Sequence, residues 1–321
     1  MSFSSLVKDE LCRITDNEKC CLKAELAAIV AVGGIIGFTD SGIVLKIVTE
    51  NAVFARRVYS LFKELYGVTV DVKYNKGKKL KKHTSYIITI SDSRDVKTAT
   101  GVINDLNILV YMDDKTNTPA LTQDTGNIIV CDNCERSYLR GAFLAGGSIS
   151  NPEKTYHVEL TSRYSQLASQ IRDMIADYNL NAKIIKRKGY YVIYLKEGDN
   201  IVDLLNIIGA HSALMDMENV RILKDMRNNV NRMVNCETAN LEKTVNASVR
   251  QIQNIEFIRD NIGFDKLPKN LKEVAELRLK YSDASLKELG EMLDPPLGKS
   301  GVNHRLRRLE KIARDFMAKE K

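Results

Sequence analysis

The residues best equipped for chemistry lie at the C-terminal end of the chain. Between Lys299 and Arg314 there are six basic residues and one acid, Glu310. On a helix turning 100° per residue, Val302, Leu306, Leu309 and Ile312 share one side. Asn303, His304, Arg307, Arg308 and Lys311 fall on the other. Asn, His and Arg in the first turns of a helix bring hydrogen-bonding groups for base edges and charge for phosphates, as a helix in a DNA major groove must. A solvated basic face would account for the same residues without a partner. The preceding segments favour the first reading. Ser285-Leu286-Lys287-Glu288 has the form of a capping box opening a helix Leu286–Leu293. Asp294-Pro295-Pro296-Leu297-Gly298-Lys299 must be a turn, because Pro and Gly break both ends. Ser300 is expected to cap a last helix, Gly301–Phe316, and Leu271–Lys280 supplies a helix before the box. The candidate DNA-contacting residues are Ser285, Lys299, Ser300, Gly301, Val302, Asn303, His304, Arg305, Arg307, Arg308 and Lys311.

A second basic set lies further upstream. Lys78, Lys79, Lys81 and Lys82 crowd residues 73–83 between two expected strands, and Arg187 and Lys188 close the run Lys183–Lys188 in an equivalent hairpin. Hairpins of like charge can hold a nucleic-acid backbone through its phosphates. Solvated loops explain them equally well. Thiols are the other reactive groups. Cys131-x-x-Cys134 has the spacing of half a zinc site, which needs two further ligands. Cys20 and Cys21 are adjacent rather than spaced for chelation, and the four histidines are scattered. The expectation is free thiols, with no metal and no cofactor.

The elements that must position these groups come from an internal repeat. Ala31-Val32-Gly33-Gly34-Ile35-Ile36 aligns with Leu144-Ala145-Gly146-Gly147-Ser148-Ile149 at a displacement of 113. At the same displacement Leu26 meets Leu139, Leu45 meets Val158, Ile47 meets Leu160, Val58 meets Ile171 and Leu61 meets Met174. Tyr86-Ile87-Ile88 matches Tyr191-Val192-Ile193 at 105, so the second copy is shorter by eight residues. A register held over so long a stretch marks a duplicated module. Each copy reads as helix, strand, strand, helix, strand, strand, helix. The first opens with a helix Glu25–Val32 that stops at its glycines. Strands Ile43–Val48, Val68–Tyr74 and Tyr86–Ser91 follow, with helices Ala52–Tyr66 and Arg94–Asn107. The second has strands His157–Thr161, Ala182–Lys186 and Tyr190–Leu195, with helices Ser165–Tyr178 and Asp199–Ile208. Gly209–Asn235 then reads as a connecting helix with turns. Asn240–Ile262 reads as a polar helix striped by Val245, Val249, Ile252 and Ile255.

With 321 residues the chain can build two or three domains with a real core. Its 44% apolar and 28% charged content are ordinary for a globular protein, and a net charge of +7 favours a polyanionic partner. The most apolar run, Leu26–Phe38, is too short to cross a bilayer. Six cysteines without an export signal suggest a reducing cytoplasm. Neither a membrane nor a small-molecule substrate is expected.

The twofold α-β-β-α-β-β-α unit, opened by Leu139-Arg140-Gly141-Ala142-Phe143-Leu144-Ala145-Gly146-Gly147, resembles the LAGLIDADG homing-endonuclease fold. The whole chain is similar to the WhiA family, bacterial regulators that join a degenerate LAGLIDADG module to a C-terminal helix-turn-helix. Ser2-Phe3-Ser4-Ser5 with Val7-Lys8, Leu139–Ser150, Asn231–Asn240 and the C-terminal helices carry that likeness over residues 1–315. The last helices also resemble the promoter-reading domain of sigma factors. The resemblance implies an α+β fold: a duplicated LAGLIDADG-like saddle, then an all-α helix-turn-helix domain. The expected division is 1–125 for an N-terminal arm and first repeat, 126–209 for the second repeat, 210–262 for connecting helices and 263–321 for the helix-turn-helix. In the nuclease motif an aspartate at each opening helix end holds the catalytic metals. Gly33 and Gly146 take those places here, so no enzyme is implied. The implied function is a sequence-specific DNA-binding regulator of cell division, chromosome segregation and sporulation. It would act as a nucleoid-associated transcription factor on double-stranded DNA, with a sigma factor or RNA polymerase as candidate partner. The alternative is an RNA-binding or scaffolding protein built on a dead nuclease fold.

Overall fold

The computed structural model describes residues 2–15, 18–40, 42–76, 84–93, 96, 98–113 and 118–319. The chain divides into two compact units, Met1–Lys224 and Asp225–Lys321.

The first unit begins with α1 (Phe3–Leu11), capped by Ser2, whose Oγ accepts from the Ser5 backbone N–H at 3.2 Å. The first repeat follows as α2 (Lys19–Gly33), β1 (Gly34–Thr39), β2 (Gly42–Thr49), α3 (Ala52–Tyr66), β3 (Asp71–Lys76), β4 (Thr84–Ser91) and α4 (Thr98–Asp105). A hairpin, β5 (Ile108–Asp113) and β6 (Thr118–Gln123), precedes the second repeat. That repeat runs α5 (Asp132–Gly146), β7 (Gly147–Ile149), β8 (Val158–Ser162), α6 (Ser165–Asp177), β9 (Lys183–Arg187), β10 (Tyr190–Leu195) and α7 (Gly198–Ile208). The expected element order appears in both copies. The hairpin between them was not legible in the sequence.

Each repeat makes one antiparallel four-stranded sheet, and the strand orders β1-β2-β4-β3 and β7-β8-β10-β9 are equivalent. The registers agree as well: Gly34 pairs with Ile47, and Gly147 with Leu160, the corresponding residues. Helices α3 and α6 pack on their own sheets through matching faces, Phe54, Ala55, Val58, Leu61 and Phe62 in one, Leu167, Ala168, Ile171, Met174 and Ile175 in the other. Asn51 caps α3, its Oδ1 accepting from Val53 and Phe54 N–H at 2.7 and 3.0 Å, and Gly67 ends it at φ 65°. These are the preferred cap chemistries at either end of a helix.

The opening helices form the centre of this unit. From Cys21 to Ala31 only Lys23 in α2 escapes full burial, because the helix lies against α5 and its own sheet. A Cβ on Gly141 would stand 2.3 Å from the Glu25 carbonyl oxygen, so only glycine lets the two backbones approach this closely. One on Gly33 would press on Ala145 Cβ at 3.2 Å, and one on Gly146 would meet the Thr161 carbonyl oxygen and Val32 Cγ1 at 2.6 Å. The paired glycines therefore serve packing and helix termination. The Glu25 carboxylate is fully buried in this contact. Arg57 of α3 donates Nε and Nη2 to it at 2.8 Å each, and Arg140 of α5 donates Nε at 3.2 Å. One anion thus ties three helices together.

Residues 211–261 form a single helix, α8 (His211–Asn261), with no break where a connecting segment and a second helix were expected. The stretch contains neither Gly nor Pro, and low propensity at Asn235 or Thr238 is too weak to stop a helix alone. Glu10 receives the Ser212 and Ala213 N–H groups at its start, at 2.7 and 3.0 Å. Val245 and Val249 are exposed, and Ile255 and Ile258 are the residues that join a core, a correction to the stripe read from sequence. Among the described residues a short 3-10 helix, Phe264–Lys266, and three further α-helices follow: α9 (Lys269–Lys280), α10 (Leu286–Glu291) and α11 (Lys299–Lys319). No helix among the described residues is long and apolar enough to cross a membrane.

Replacing Gly141 by Val should destabilise the first unit by about 1–3 kcal/mol through forced separation of the helices. Urea denaturation measures this, and an unchanged midpoint would refute the packing argument. Glu25→Gln should cost roughly 3 kcal/mol, since two buried guanidinium groups lose their shared anion. A loss below about 1 kcal/mol would mean that the ion group does not hold the helices.

Candidate nucleic-acid interface

The basic face of the second unit depends on a tight junction between α10 and α11. Ser285 opens α10 with a complete capping box: its N–H donates to Glu288 Oε2 at 2.7 Å, and its Oγ accepts from Glu288 N–H at 3.3 Å. The bond from the Ser285 backbone holds the Glu288 carboxyl below the usual range. After α10 the chain folds back so that Leu297 N–H reaches the Gly290 carbonyl at 2.8 Å. A Cβ on Gly290 would lie 1.9 Å from the Leu297 carbonyl oxygen, so this crossing requires glycine. The Gly298 carbonyl then accepts from Gly301 and Val302 N–H, and α11 begins.

Helix α11 starts at Lys299, which places Ser300 in its first turn rather than at its cap. Val302, Leu306, Leu309 and Ala313 are buried against Leu271, Val274 and Leu289, and Ile312 packs at the edge of that core. Val302 therefore belongs to the core and cannot reach a ligand, a correction to its place among the candidates. Gly301 is half-buried against Leu297, and Ser285 is spent on its cap. Arg305 is half-buried and donates Nη1 to the Asn270 carbonyl at 3.2 Å, tying α11 to the first turn of α9. Asn303 is half-buried. Lys299, Ser300, His304, Arg307, Arg308 and Lys311 are exposed. Among the described residues, none of these basic groups lies in an ion pair, whereas Arg314 is engaged by Glu310 at 3.0 Å. What remains is a cationic face on one helix, open at its N-terminal turns.

In the first unit the β9–β10 hairpin turns through Lys188 and Gly189, at φ 50° and 84°, the two positive values of a tight two-residue turn. Lys183, Lys186, Arg187 and Lys188 are all exposed there. Arg187 leans toward Glu159 at 3.7 Å, and Lys186 lies 5.4 Å from the Tyr191 ring centroid. Lys78, Lys79, Lys81 and Lys82 lie outside the described residues. At the C-terminal ends of α2 and α5, Gly33 and Gly146 supply no side-chain oxygen to a metal.

Sequence spacing missed one cluster. The thiols, expected to be free and without the spacing of a complete metal site, are brought together, Cys20 and Cys21 against Cys131 and Cys134, at the N-termini of α2 and α5. The signal that could have found them was the repeat itself, for Cys21 and Cys134 stand 113 residues apart.

Comparison with known proteins agrees with this architecture. Residues 19–109 match the family model of the WhiA N-terminal LAGLIDADG-like domain, 135–227 that of the WhiA LAGLIDADG-like domain, and 230–313 that of the WhiA C-terminal HTH domain. The protein named probable cell division protein WhiA in Ruminiclostridium cellulolyticum is 56% identical over 315 residues, covering 98% of this chain and 97% of its own. Its namesake in Clostridium botulinum is 54% identical over 316 residues, covering 98% of both chains. The crystal structure of full-length WhiA from Thermotoga maritima superimposes with a TM-score of 0.61 at 27% identity, covering 98% of this chain and 99% of that one. With three family domains in order and more than half of its residues shared with a relative along nearly its whole length, this chain belongs to the WhiA family.

Proposed function

We propose that the chain is a non-catalytic, sequence-specific DNA-binding regulator acting in cell division. The observation that carries this reading is the exposed cationic face of α11, unpaired among the described residues and set behind a capped helix and a glycine-dependent turn in a domain that matches the WhiA helix-turn-helix. The N-terminal turns of α11 enter the major groove, with His304, Arg307 and Asn303 reading bases. Lys299, Arg308 and Lys311 lie against phosphates. The hairpin with Arg187 and Lys188, and the lysines at 78, 79, 81 and 82, add backbone contacts without sequence preference. The name of the relatives, probable cell division protein, supports the link to cell division. Chromosome segregation and sporulation follow as transcriptional outputs, with RNA polymerase or a sigma factor as the partner engaged at promoters on the nucleoid. Chromatin immunoprecipitation identifies the targets.

The test of readout is a titration against cognate and scrambled duplexes at several salt concentrations. His304→Ala and Arg307→Ala should each lose roughly 1–3 kcal/mol of specific binding. Their stability should change by about 0.5 kcal/mol or less, as expected for exposed helix positions. Equal losses on both duplexes would reduce α11 to an electrostatic anchor. Arg187→Ala and Lys188→Ala should weaken binding to all sequences and flatten the salt dependence by about 0.9 of a slope unit per lost phosphate contact.

Incubated with supercoiled DNA and magnesium or manganese, the pure protein should leave the DNA intact. The reason is that hard cations need oxygen ligands, and glycine holds both helix ends. Chelator-sensitive nicking would overturn the non-catalytic reading.

A further inference from the structure

The two opening helices begin, as well as end, with equivalent residues. Cys21 sits in the first turn of α2 and Cys134 in the first turn of α5, at corresponding positions of the repeat. Because the helices pack as an equivalent pair, their Sγ atoms meet at 3.9 Å. Cys131 is the N-cap residue of α5; its carbonyl accepts from Cys134 N–H at 2.9 Å, and its Sγ lies 3.3 Å from Cys134 Sγ. Cys20 supplies the fourth thiol, and all four sulfurs lie within 4.8 Å of one another. Four thiolates around one tetrahedral zinc, at Zn–S distances near 2.3 Å, are separated by about 3.8 Å along each edge. The sulfurs already stand at that scale.

We propose that Cys20, Cys21, Cys131 and Cys134 hold one zinc ion in a closed tetrathiolate site that pins the start of the first repeat to the start of the second. The donor set narrows the choice of metal, and zinc is the ion of closed tetrathiolate structural sites. Soft thiolates exclude magnesium and calcium, which require oxygen. An iron–sulfur cluster carries its own iron and sulfide inside the ring of cysteines and needs a wider ring than this one. Zinc with four thiolates is a dianion; the N-termini of two helices, whose backbone N–H groups and dipoles favour negative charge, offset it, while the Glu18 carboxylate beside Cys20 and Cys21 opposes it. Binding forms four Zn–S bonds and releases four thiol protons to solvent, with no change of oxidation state. Glu18, whose Oε2 lies 3.6 Å from Cys21 Sγ and 3.7 Å from Cys20 Sγ, accepts from those thiols in the metal-free protein. With four protein ligands there is no open position for a substrate, so the role is structural. The site lies at the opposite end of the helix pair from Gly33 and Gly146, and is independent of the DNA-binding reading above.

The test uses the full chain, purified under reducing conditions without chelator. Elemental analysis should find about one zinc per chain, and Cys21→Ser and Cys134→Ser should reduce it below about a tenth. Cys236→Ser, on the exposed part of α8, should retain it. Where a variant fails to fold, wild-type protein stripped of metal and titrated with cobalt gives a second reading, the visible absorption of a tetrahedral cobalt–thiolate centre at one equivalent. Chelation should lower the melting temperature of the native protein and leave that of Cys131→Ser unmoved. Reduced wild-type protein that carries no zinc and gives no cobalt spectrum overturns the proposal. So does isolation of a Cys131–Cys134 disulfide as the resting form, or zinc that persists in the cysteine variants as a surface-bound ion.

Discussion

The close contact between α2 and α5 is the constraint on which the first unit rests. Gly141 lets the helix backbones approach until a side chain would strike the Glu25 carbonyl oxygen. At that separation the Glu25 carboxylate leaves water altogether, and burial of a charge is tolerable only because Arg57 and Arg140 surround it. The sheets inherit their places from this pair. Each helix passes directly into the first strand of its sheet, at Gly34 and Gly147, with no intervening loop. A small shift of one helix would therefore move a whole sheet.

That geometry also decides where chemistry can occur. The helix ends are occupied by packing: Gly146 lies against the Thr161 backbone and Val32, and Gly33 against Ala145. A side chain large enough to coordinate a metal could not be added at Gly146 without moving backbone. The exposed cationic chemistry sits instead on α11, whose direction is set by another glycine, Gly290, crossed at close range by the chain at Leu297. In both units a missing Cβ, rather than an added functional group, determines how the functional element is presented.

The N-termini of α2 and α5 have the opposite character. They carry four thiols in a small volume, two buried and two reaching the surface, where aligned backbone dipoles favour negative charge. Glu25 sits one turn further along α2. Charge neutralisation, by guanidinium at Glu25 and by zinc at the proposed thiolate site, holds the same pair of helices at neighbouring levels.

What could be read from sequence was whatever is local or repeated. The duplication, the order of elements in each copy, the ends of α3 and β10, the capping box at Ser285 and the amphipathic face of α11 all follow from propensity and period, which act over a few residues. The continuity of α8 was missed because weak helix formers suggest breaks that, without Gly or Pro, they cannot enforce. Tertiary structure alone decided the rest. It withdrew Val302 into the core, tied Arg305 to the Asn270 carbonyl and showed which basic side chains remain free for a partner. It also joined Cys20 and Cys21 to Cys131 and Cys134. Spacing along a chain reports only which residues share one element. Residues 113 apart become neighbours when two helices pack in register, and that register is set by how closely glycine allows them to approach.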